Sequence, residues 1–288
     1  MKITYIYHSA FLVETKNQYL LFDYVKGNLP KMNPEKMLTV FVSHAHEDHF
    51  DPVIFQLAEQ LGHNPKKIRY VLSYNLERKT RVMHLEEVMA PLQNQISYLR
   101  FGASLSLPGL LVEALKSTDQ GVAFLVQAEG KWLFHSGDLY EWVWEEEEKS
   151  RKNDMRARYR REIDSLKTRS VYMAFVPLDP HLEEHYGDGF TYFIKTVQPA
   201  YIFPMHMWDR YEIQDTWIRA ERAQECVSEK TAQESDAEQA TEKASQESAT
   251  EQVTEKASQE SVPQKMWLVD SSRVVRIFHA GQQWELPE

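Results

Sequence analysis

Short apolar runs separated by polar, Gly- or Pro-marked breaks pattern this chain, and most of them predict strands. ITYIY (3–7), AFLVET (10–15) and YLLFDY (19–24) open the series. VKGNLPKMNP then reads as a loop, because Gly and Pro interrupt regular structure. LTVFVSH (38–44) is continuous and β-branched, the pattern of a strand buried on both faces. DPVIFQLAEQL (51–61) changes to helical spacing, with Asp51 as N-cap and Pro52 at the first helical position. IRYVLSY (68–74) predicts a strand and TRVMHLEEVMAPL (80–92) a short helix stopped near Pro91. ISYLRFGASLSLPGLLVEAL (96–115) predicts two strands about a Pro-Gly turn, and VAFLVQAEGKWLFHSGD (122–138) a hairpin followed by a polar loop. EWVWEEEEKSRKNDMRARYRREIDSLK (141–167) predicts one long helix. Its pairs Glu145–Lys149, Glu147–Arg151 and Glu148–Lys152 are favourably spaced, and Met155, Tyr159, Ile163 and Leu166 form an apolar stripe. SVYMAFVPLD (170–179), PAYIFPMH (199–206) and WLVDSSRVVRIF (267–278) predict further strands.

One segment departs from this pattern. Residues 222–265 are rich in Ala, Glu, Gln, Ser, Thr and Lys, and TEKASQES occurs at 241–248 and again at 254–261. With almost no apolar face to bury, the segment is expected to be a disordered insertion. The expected organisation is therefore one domain, 1–221 with 266–288, interrupted by that insertion. Charge follows the same division. The chain carries −10 overall, and Glu221–Lys265 holds eleven acids against five bases, so the folded part is only mildly acidic. It offers no global basic field for nucleic acid. A hydrophobic content of 42% suffices for a sizeable core. No apolar run approaches the roughly eighteen residues of a membrane span, and the N-terminus reads as a strand rather than a secretory signal. The single cysteine, Cys226, cannot form an internal disulfide. A cytoplasmic protein is expected, with a small-molecule substrate as its partner.

SHAHEDHFDP (43–52) carries the chemistry. Three of the eleven histidines fall within six residues, between a predicted strand end and a helix start, where α/β proteins build sites. Imidazole and carboxylate are the ligands of zinc and its neighbours. Residues two apart in extended chain point the same way, so His44 and His46 can grip one ion. Asp48 and His49, past the bend, can address a second.

H-x-H-x-D-H here resembles the signature of the metallo-β-lactamase fold hydrolases. HSGDL (135–139) resembles that family's motif with a metal-bridging aspartate, here Asp138, and FPMHMW (203–208) its C-terminal histidine motif, here His206. The resemblance covers about residues 1–220 and the final strand. It implies an α/β (α+β) fold, a four-layer αββα sandwich with the site on loops at one edge of two packed sheets. It also implies one or two divalent ions, zinc first, with manganese or iron as alternatives. The family's usual third histidine for the first metal is missing: the chain reads LKSTDQGVAF there. Asp119 is the best substitute ligand, or else a turn residue before Gly121. The STDQG and HSGDL pair resembles a poorly characterised bacterial branch that itself lacks this histidine.

The resemblance also sorts the remaining candidates. His8, in YHSAFLVE, matches a GHS-like element near the metals of lactonase-type branches, or is a polar strand residue. His135 and Asp23 are candidates to support ligands, and His181 and His185 to contact substrate or to lie in an exposed loop. Trp142, Trp144 and Trp208 flank the motifs, as pocket wall or as core. The function implied is a metal-dependent hydrolase in which cation-activated hydroxide attacks a small ester, lactone or phosphoester, with Asp48, Asp138 or a loop histidine as proton carrier. A metal-dependent nuclease or phosphodiesterase is the alternative, RKNDMRARYRR (151–161) being its only Arg-rich segment. A non-catalytic metal-binding protein is a third reading.

Overall fold

A computed structural model describes residues 1–224 and 271–287. The repeat segment, Cys226 and the first part of WLVDSSRVVRIF lie outside the described residues. The chain divides into two compact units, Met1–Gln214 with Ser272–Glu288, and Asp215–Ser271. Of the second unit, residues 215–224 are described and are helical. All the chemistry below belongs to the first.

That unit is built on two mixed sheets. The first takes β1 (Lys2–Tyr7), β2 (Ala10–Glu14), β3 (Gln18–Phe22), β4 (Met37–Val42), β5 (Ile68–Ser73) and β6 (Ile96–Leu99) in order. The second takes β7 (Ser104–Leu107), β8 (Leu110–Lys116), β9 (Val122–Ala128), β10 (Lys131–His135), β11 (Val171–Pro177) and β12 (Tyr201–Met205) in order. The C-terminal β13 (Gln283–Glu285) returns to pair antiparallel with β1. Each sheet begins with antiparallel hairpins and ends with parallel pairs, β3 to β6 and β10 to β12.

Phenylalanines form the seam between the sheets. Phe11 lies 4.4 Å from Phe175, and Phe41 lies 5.4 Å from Phe124, ring centre to ring centre. Alternation along β4 explains this: Leu38, Val40 and Val42 join the outer apolar layer with Ile54, Leu57 and Leu76, leaving Thr39 and Phe41 for the inner face. On the far side of the second sheet, α4 (Lys149–Asp164) and α5 (Asp188–Val197) cover β10 and β11, with Phe193 stacked 5.1 Å from Phe134. On the outer side of the first sheet run a 3-10 turn capped by Asp51 and three short helices, α1 (Leu57–Gln60), α2 (Leu76–Val82) and α3 (Glu86–Met89). Helix, sheet, sheet and helix make the expected αββα architecture.

Local boundaries differ from the sequence expectation in four places. The 80–92 helix breaks at His84, whose φ is +54°, and a 3-10 turn from Ala90 to Gln95 follows α3. The 96–115 stretch yields three strands, not two, because the chain turns at Gly102 (φ +76°) and passes from one sheet to the other. The described part of 267–278 is a 3-10 turn at Ser271–Arg273 and a single bridge from Val274 to Ile202, so the last strand lies further on, at β13. The predicted long helix starts only at Lys149, and the intended i,i+4 pairs give way to Lys152–Glu145 at 3.0 Å. Tertiary contacts hold 141–148 in a loop. Glu141 is fully buried between Arg156 and Arg160, and the Trp142 indole N–H donates to the Asp138 carbonyl.

Candidate metal centre

Seven chain segments end or turn at one edge of the two sheets, and each delivers a polar side chain there. His8 sits in the β1–β2 corner, Asp23 follows β3, and His44 to His49 follow β4. Asp119 lies between β8 and β9, Asp138 follows β10, Asp179 follows β11 and His206 follows β12. The convergence strains the backbone: His8, Asp23, His206 and Trp208 all have φ between +42° and +63°, a conformation that costs a non-glycine residue about 1–3 kcal/mol.

Two glycines permit the closest approaches. A Cβ on Gly121 (φ +69°) would lie 2.1 Å from the Ser43 carbonyl oxygen and 2.6 Å from the His44 Cβ. One on Gly137 (φ +50°) would lie 2.6 Å from the Ser43 Cβ. The STDQG and HSGDL loops thus press directly on the end of β4, and the Val122 N–H donates to the Ser43 carbonyl at 3.0 Å.

The donor atoms fall into two groups, His44, His46, Asp119 and Asp138, and His8, Asp48, His49 and His206, all within 4.8 Å of one another in each group. Asp138 faces both. Its Oδ2 is 3.1 Å from His44 Nε2 and 3.8 Å from His46 Nδ1, while its Oδ1 is 3.1 Å from His49 Nε2 and 3.5 Å from His206 Nε2. Asp119 Oδ2 stands 3.6 Å from His46 Nδ1. His8 Nε2 is 3.3 Å from Asp48 Oδ2, and His206 Nε2 is 3.5 Å from the same oxygen.

The surrounding hydrogen bonds assign the tautomers. Asp23 is buried and accepts from the Ser43 N–H at 2.7 Å, the Ser43 hydroxyl at 2.6 Å and His49 Nδ1 at 2.7 Å. The Ser43 hydroxyl proton is thereby used, so His44 Nδ1 donates to Oγ at 3.0 Å. His206 Nδ1 donates to Asp179 Oδ2 at 2.7 Å. In its neutral form each of these three rings therefore turns an unprotonated Nε2 inward. Lone pairs then face one another at His49 Nε2 and His206 Nε2, 3.4 Å apart, and the His44 Nε2 lone pair points at His46 Nδ1, 2.9 Å away. Asp138 Oδ1 is buried beside them without a hydrogen bond. Converging lone pairs and an orphaned carboxylate oxygen fit divalent cations in both groups.

Without ions, the same carboxylates draw protons onto two of these rings instead. Burial works against charge on His206, but Asp179 and Asp48 carry it up to about 9. Burial likewise opposes His49, which Asp138 and Asp23 hold well above the ordinary imidazole range. Asp138 resists burial through His49 and His44 and stays well below the usual carboxylate range. Burial lowers His8 to about 4 despite its contact with Asp48. The carboxylates thus recruit positive charge, which protons supply where cations do not.

The other candidates separate cleanly. His135 spends both ring nitrogens on backbone, Nε2 donating to the Ser9 carbonyl at 2.9 Å and Nδ1 accepting from the Gly137 N–H at 3.2 Å. It braces the Asp138 loop. His181 lines the cavity above the centre, with Nδ1 2.9 Å from Asp179. His185 is not brought there: Asp188 and Glu145 hold its ring nitrogens at 2.9 and 3.1 Å, drawing it to α5 and the 141–148 loop. Trp142, Trp144 and Trp208 all line the cavity. Asp179 shares with Asp51 an Asp-Pro that caps a 3-10 turn, but nothing adjacent in the sequence points to its bond with His206. Gln120, whose Nε2 is 2.8 Å from His46 Nε2, had no sequence signal.

Fold and site together define a metallo-β-lactamase-type domain. Residues 2–154 match the family model of the beta-lactamase superfamily domain, and the chain belongs to that superfamily. Over 151 residues, 48% of the chain, it is 32% identical to a UPF0173 metal-dependent hydrolase from Opitutus terrae. It spans 63% of that relative's length. A second UPF0173 metal-dependent hydrolase, from Desulforamulus reducens, is 26% identical over 220 residues, 72% of this chain and 84% of the relative. Among solved structures, a metallo hydrolase from the archaeon Ignicoccus hospitalis aligns over 71% of this chain and 82% of its own, at 19% identity and a TM-score of 0.47. No helix of the described residues is long and apolar enough to cross a membrane.

Proposed function

We propose that the chain is a metal-dependent hydrolase of a small ester, lactone or phosphoester. The observation that carries this reading is Asp138, with one carboxylate oxygen turned to each of two ligand groups. His44, His46, Asp119 and Asp138 would hold one ion, and His8, Asp48, His49, His206 and Asp138 the other. Imidazole-rich donors favour zinc, and the extra carboxylate at Asp119 widens the choice towards manganese or iron. Divalent ions held there would acidify a water and polarise the scissile carbonyl or phosphoryl group.

The chain's own residues do the rest. Asp23 and Asp179 keep the rings of His49 and His206 oriented, so neither ring has to reorganise as substrate binds. Asp48, partly exposed at the cavity floor, is placed to carry a proton. In an ester, water oxygen adds to the acyl carbon and the carbon–oxygen bond to the leaving group breaks. The proton given up by the water passes to Asp48 or His181 and from there to the leaving alkoxide, giving acid and alcohol. The reading includes a cytoplasmic location, which the single cysteine of the sequence supports.

Within the Arg-rich segment that the nuclease alternative would use, three of the arginines are engaged elsewhere. Arg156 and Arg160 are tied to Glu141, and Arg158 to Asp154 and the Thr118 carbonyl, so these guanidinium groups hold α4 to the site loop. Metal analysis with an assay panel of generic esters, lactones and bis-phosphodiesters tests the proposal. Two ions per chain and hydrolysis abolished by His46→Ala are expected. Less than one ion per chain, without hydrolysis that His46→Ala abolishes, would instead mark a non-catalytic metal-binding protein.

A further inference from the structure

The cavity over the centre has a volume of about 470 Å³ and a distinctive lining. Its floor is His46, Asp48, Asp138 and His206, and its walls include Trp142, Trp144, Met155 and Trp208. Trp144 and Trp208 are each 42% exposed, which leaves indole surface open at the mouth. Both are nonetheless held. The Trp208 indole N–H donates to Asp179 at 3.1 Å, and its ring lies 4.5 Å from His8 and 5.3 Å from His181. Trp144 closes a turn with Glu147, its carbonyl accepting from the Glu147 N–H at 3.1 Å, and the Glu147 carboxylate accepts from the Trp144 N–H at 3.5 Å. An acidic side chain is therefore anchored on the backbone of a residue whose indole is open, and both line the cavity.

The charge of the lining is one-sided. Asp48, Asp119, Asp138, Glu147 and Asp179 contribute five carboxylates, and none of the described residues lining the cavity is Lys or Arg. Two divalent cations would bring four positive charges and, with histidines ligating as neutral rings, leave a slight negative excess. Replacing the usual third histidine by Asp119 is part of the cause. Beyond any bound ions, a phosphate's negative oxygens are met by guanidinium or ammonium donors, and the lining supplies neither. An indole face beside a carboxylate instead suits a cation or an uncharged apolar group.

We infer that this site selects a carboxylic ester or lactone that is uncharged or positively charged at the end remote from the scissile bond, with Trp144, Trp208 and Glu147 receiving that end. The inference rests on the hydrolase reading above and narrows it, setting phosphoesters aside. Water adds to the acyl carbon, the bond to the alcohol oxygen breaks, and the alcohol leaves with the proton, as in any ester hydrolysis.

The test compares butyrate esters of choline, of its uncharged isostere 3,3-dimethylbutanol and of glycolate, together with a bis-aryl phosphodiester, on the metal-loaded full chain. The choline ester should show a kcat/KM about three- to tenfold above its isostere, the gain of a cation over an indole. The glycolate ester and the phosphodiester should fall at least about tenfold below the isostere through like-charge repulsion. Glu147→Gln and Trp144→Ala should each bring the choline-to-isostere ratio towards one. A preference for either anionic substrate, or a ratio that Glu147→Gln leaves unmoved, would overturn the inference. If no ester is turned over, the hydrolase reading has failed separately, and calorimetry with benzyltrimethylammonium decides this one. Saturable binding weakened by Trp144→Ala supports it, and no binding at millimolar concentration overturns it.

Discussion

Asp23 shows how much one buried side chain organises here. It lies at 1% exposure in the left-handed region, directly after β3, and accepts hydrogen bonds from two groups of Ser43 and from His49. Asp23→Ala would leave those donors buried and unpaired, and should destabilise the chelated protein by roughly 3–5 kcal/mol. Urea unfolding measures that loss, and metal titration of the same variant should show affinity falling about 10- to 100-fold. A stable variant with unaltered affinity would mean that Asp23 only fills space. His63 offers a titration remote from the centre. Burial lowers its pKa, against the pull of its hydrogen bond to the Lys36 carbonyl. The unfolded chain therefore binds the proton more readily, so stability is present above the ordinary imidazole value and lost as pH falls through the folded one. Between about pH 7 and pH 5, His63→Gln should lose less stability than the parent, read from unfolding midpoints at each pH.

Among the elements, strands and motifs were legible in the sequence where a residue's role is local, and illegible where it depends on a distant partner. LTVFVSH ends as a strand at Val42 and delivers His44 at once, and Asp51 caps its turn by accepting from the Val53 N–H, both written in adjacent residues. EWVWEEEE carries good helix formers, yet remains loop because Glu141 is needed between Arg156 and Arg160 and Trp142 over Asp138. Asp179 and Gln120 are recognisable only once β11 and the STDQG loop stand beside their histidines. The same loop explains why a substitute for the missing histidine is available at all. Gly121 lets STDQG reach the end of β4, where Asp119 meets His46. Gly121→Ala should cost about 3 kcal/mol or more, combining left-handed strain with overpacking against Ser43. Gly130 has a similar φ of +80° with nothing within 4 Å of an added Cβ. Gly130→Ala should therefore cost only the strain, roughly 1 kcal/mol. Equal losses in the two variants, measured by denaturant unfolding, would show that close approach at Gly121 is unimportant.

For the molecule as a whole, metal binding at the candidate ligands would be coupled to folding. The candidate donors come from the β1–β2 corner, the loop after β4, the β8–β9 loop, and the ends of β10 and β12, so they draw on both sheets. No short peptide brings them together, and an ion bound only by the folded chain must stabilise the fold. At a free concentration about a thousandfold above Kd the gain is roughly 4 kcal/mol, and for a domain of this size each kcal/mol raises Tm by roughly 2–4 °C. Each ion bound should therefore raise the melt by about 8–16 °C over that of the chelated protein. Asp138 and Asp119 divide that increment differently, because Asp138 faces both ligand groups and Asp119 only the first. Asp138→Asn should abolish most of the rise, since neither group keeps a full carboxylate at its shared edge. Asp119→Asn should remove the part due to the first ion and leave the His49–His206 group able to bind, with stoichiometry falling from two towards one. If Asp119→Asn leaves both the rise and the stoichiometry intact, Asp119 is a turn residue and the first group closes on the two histidines and Asp138 alone.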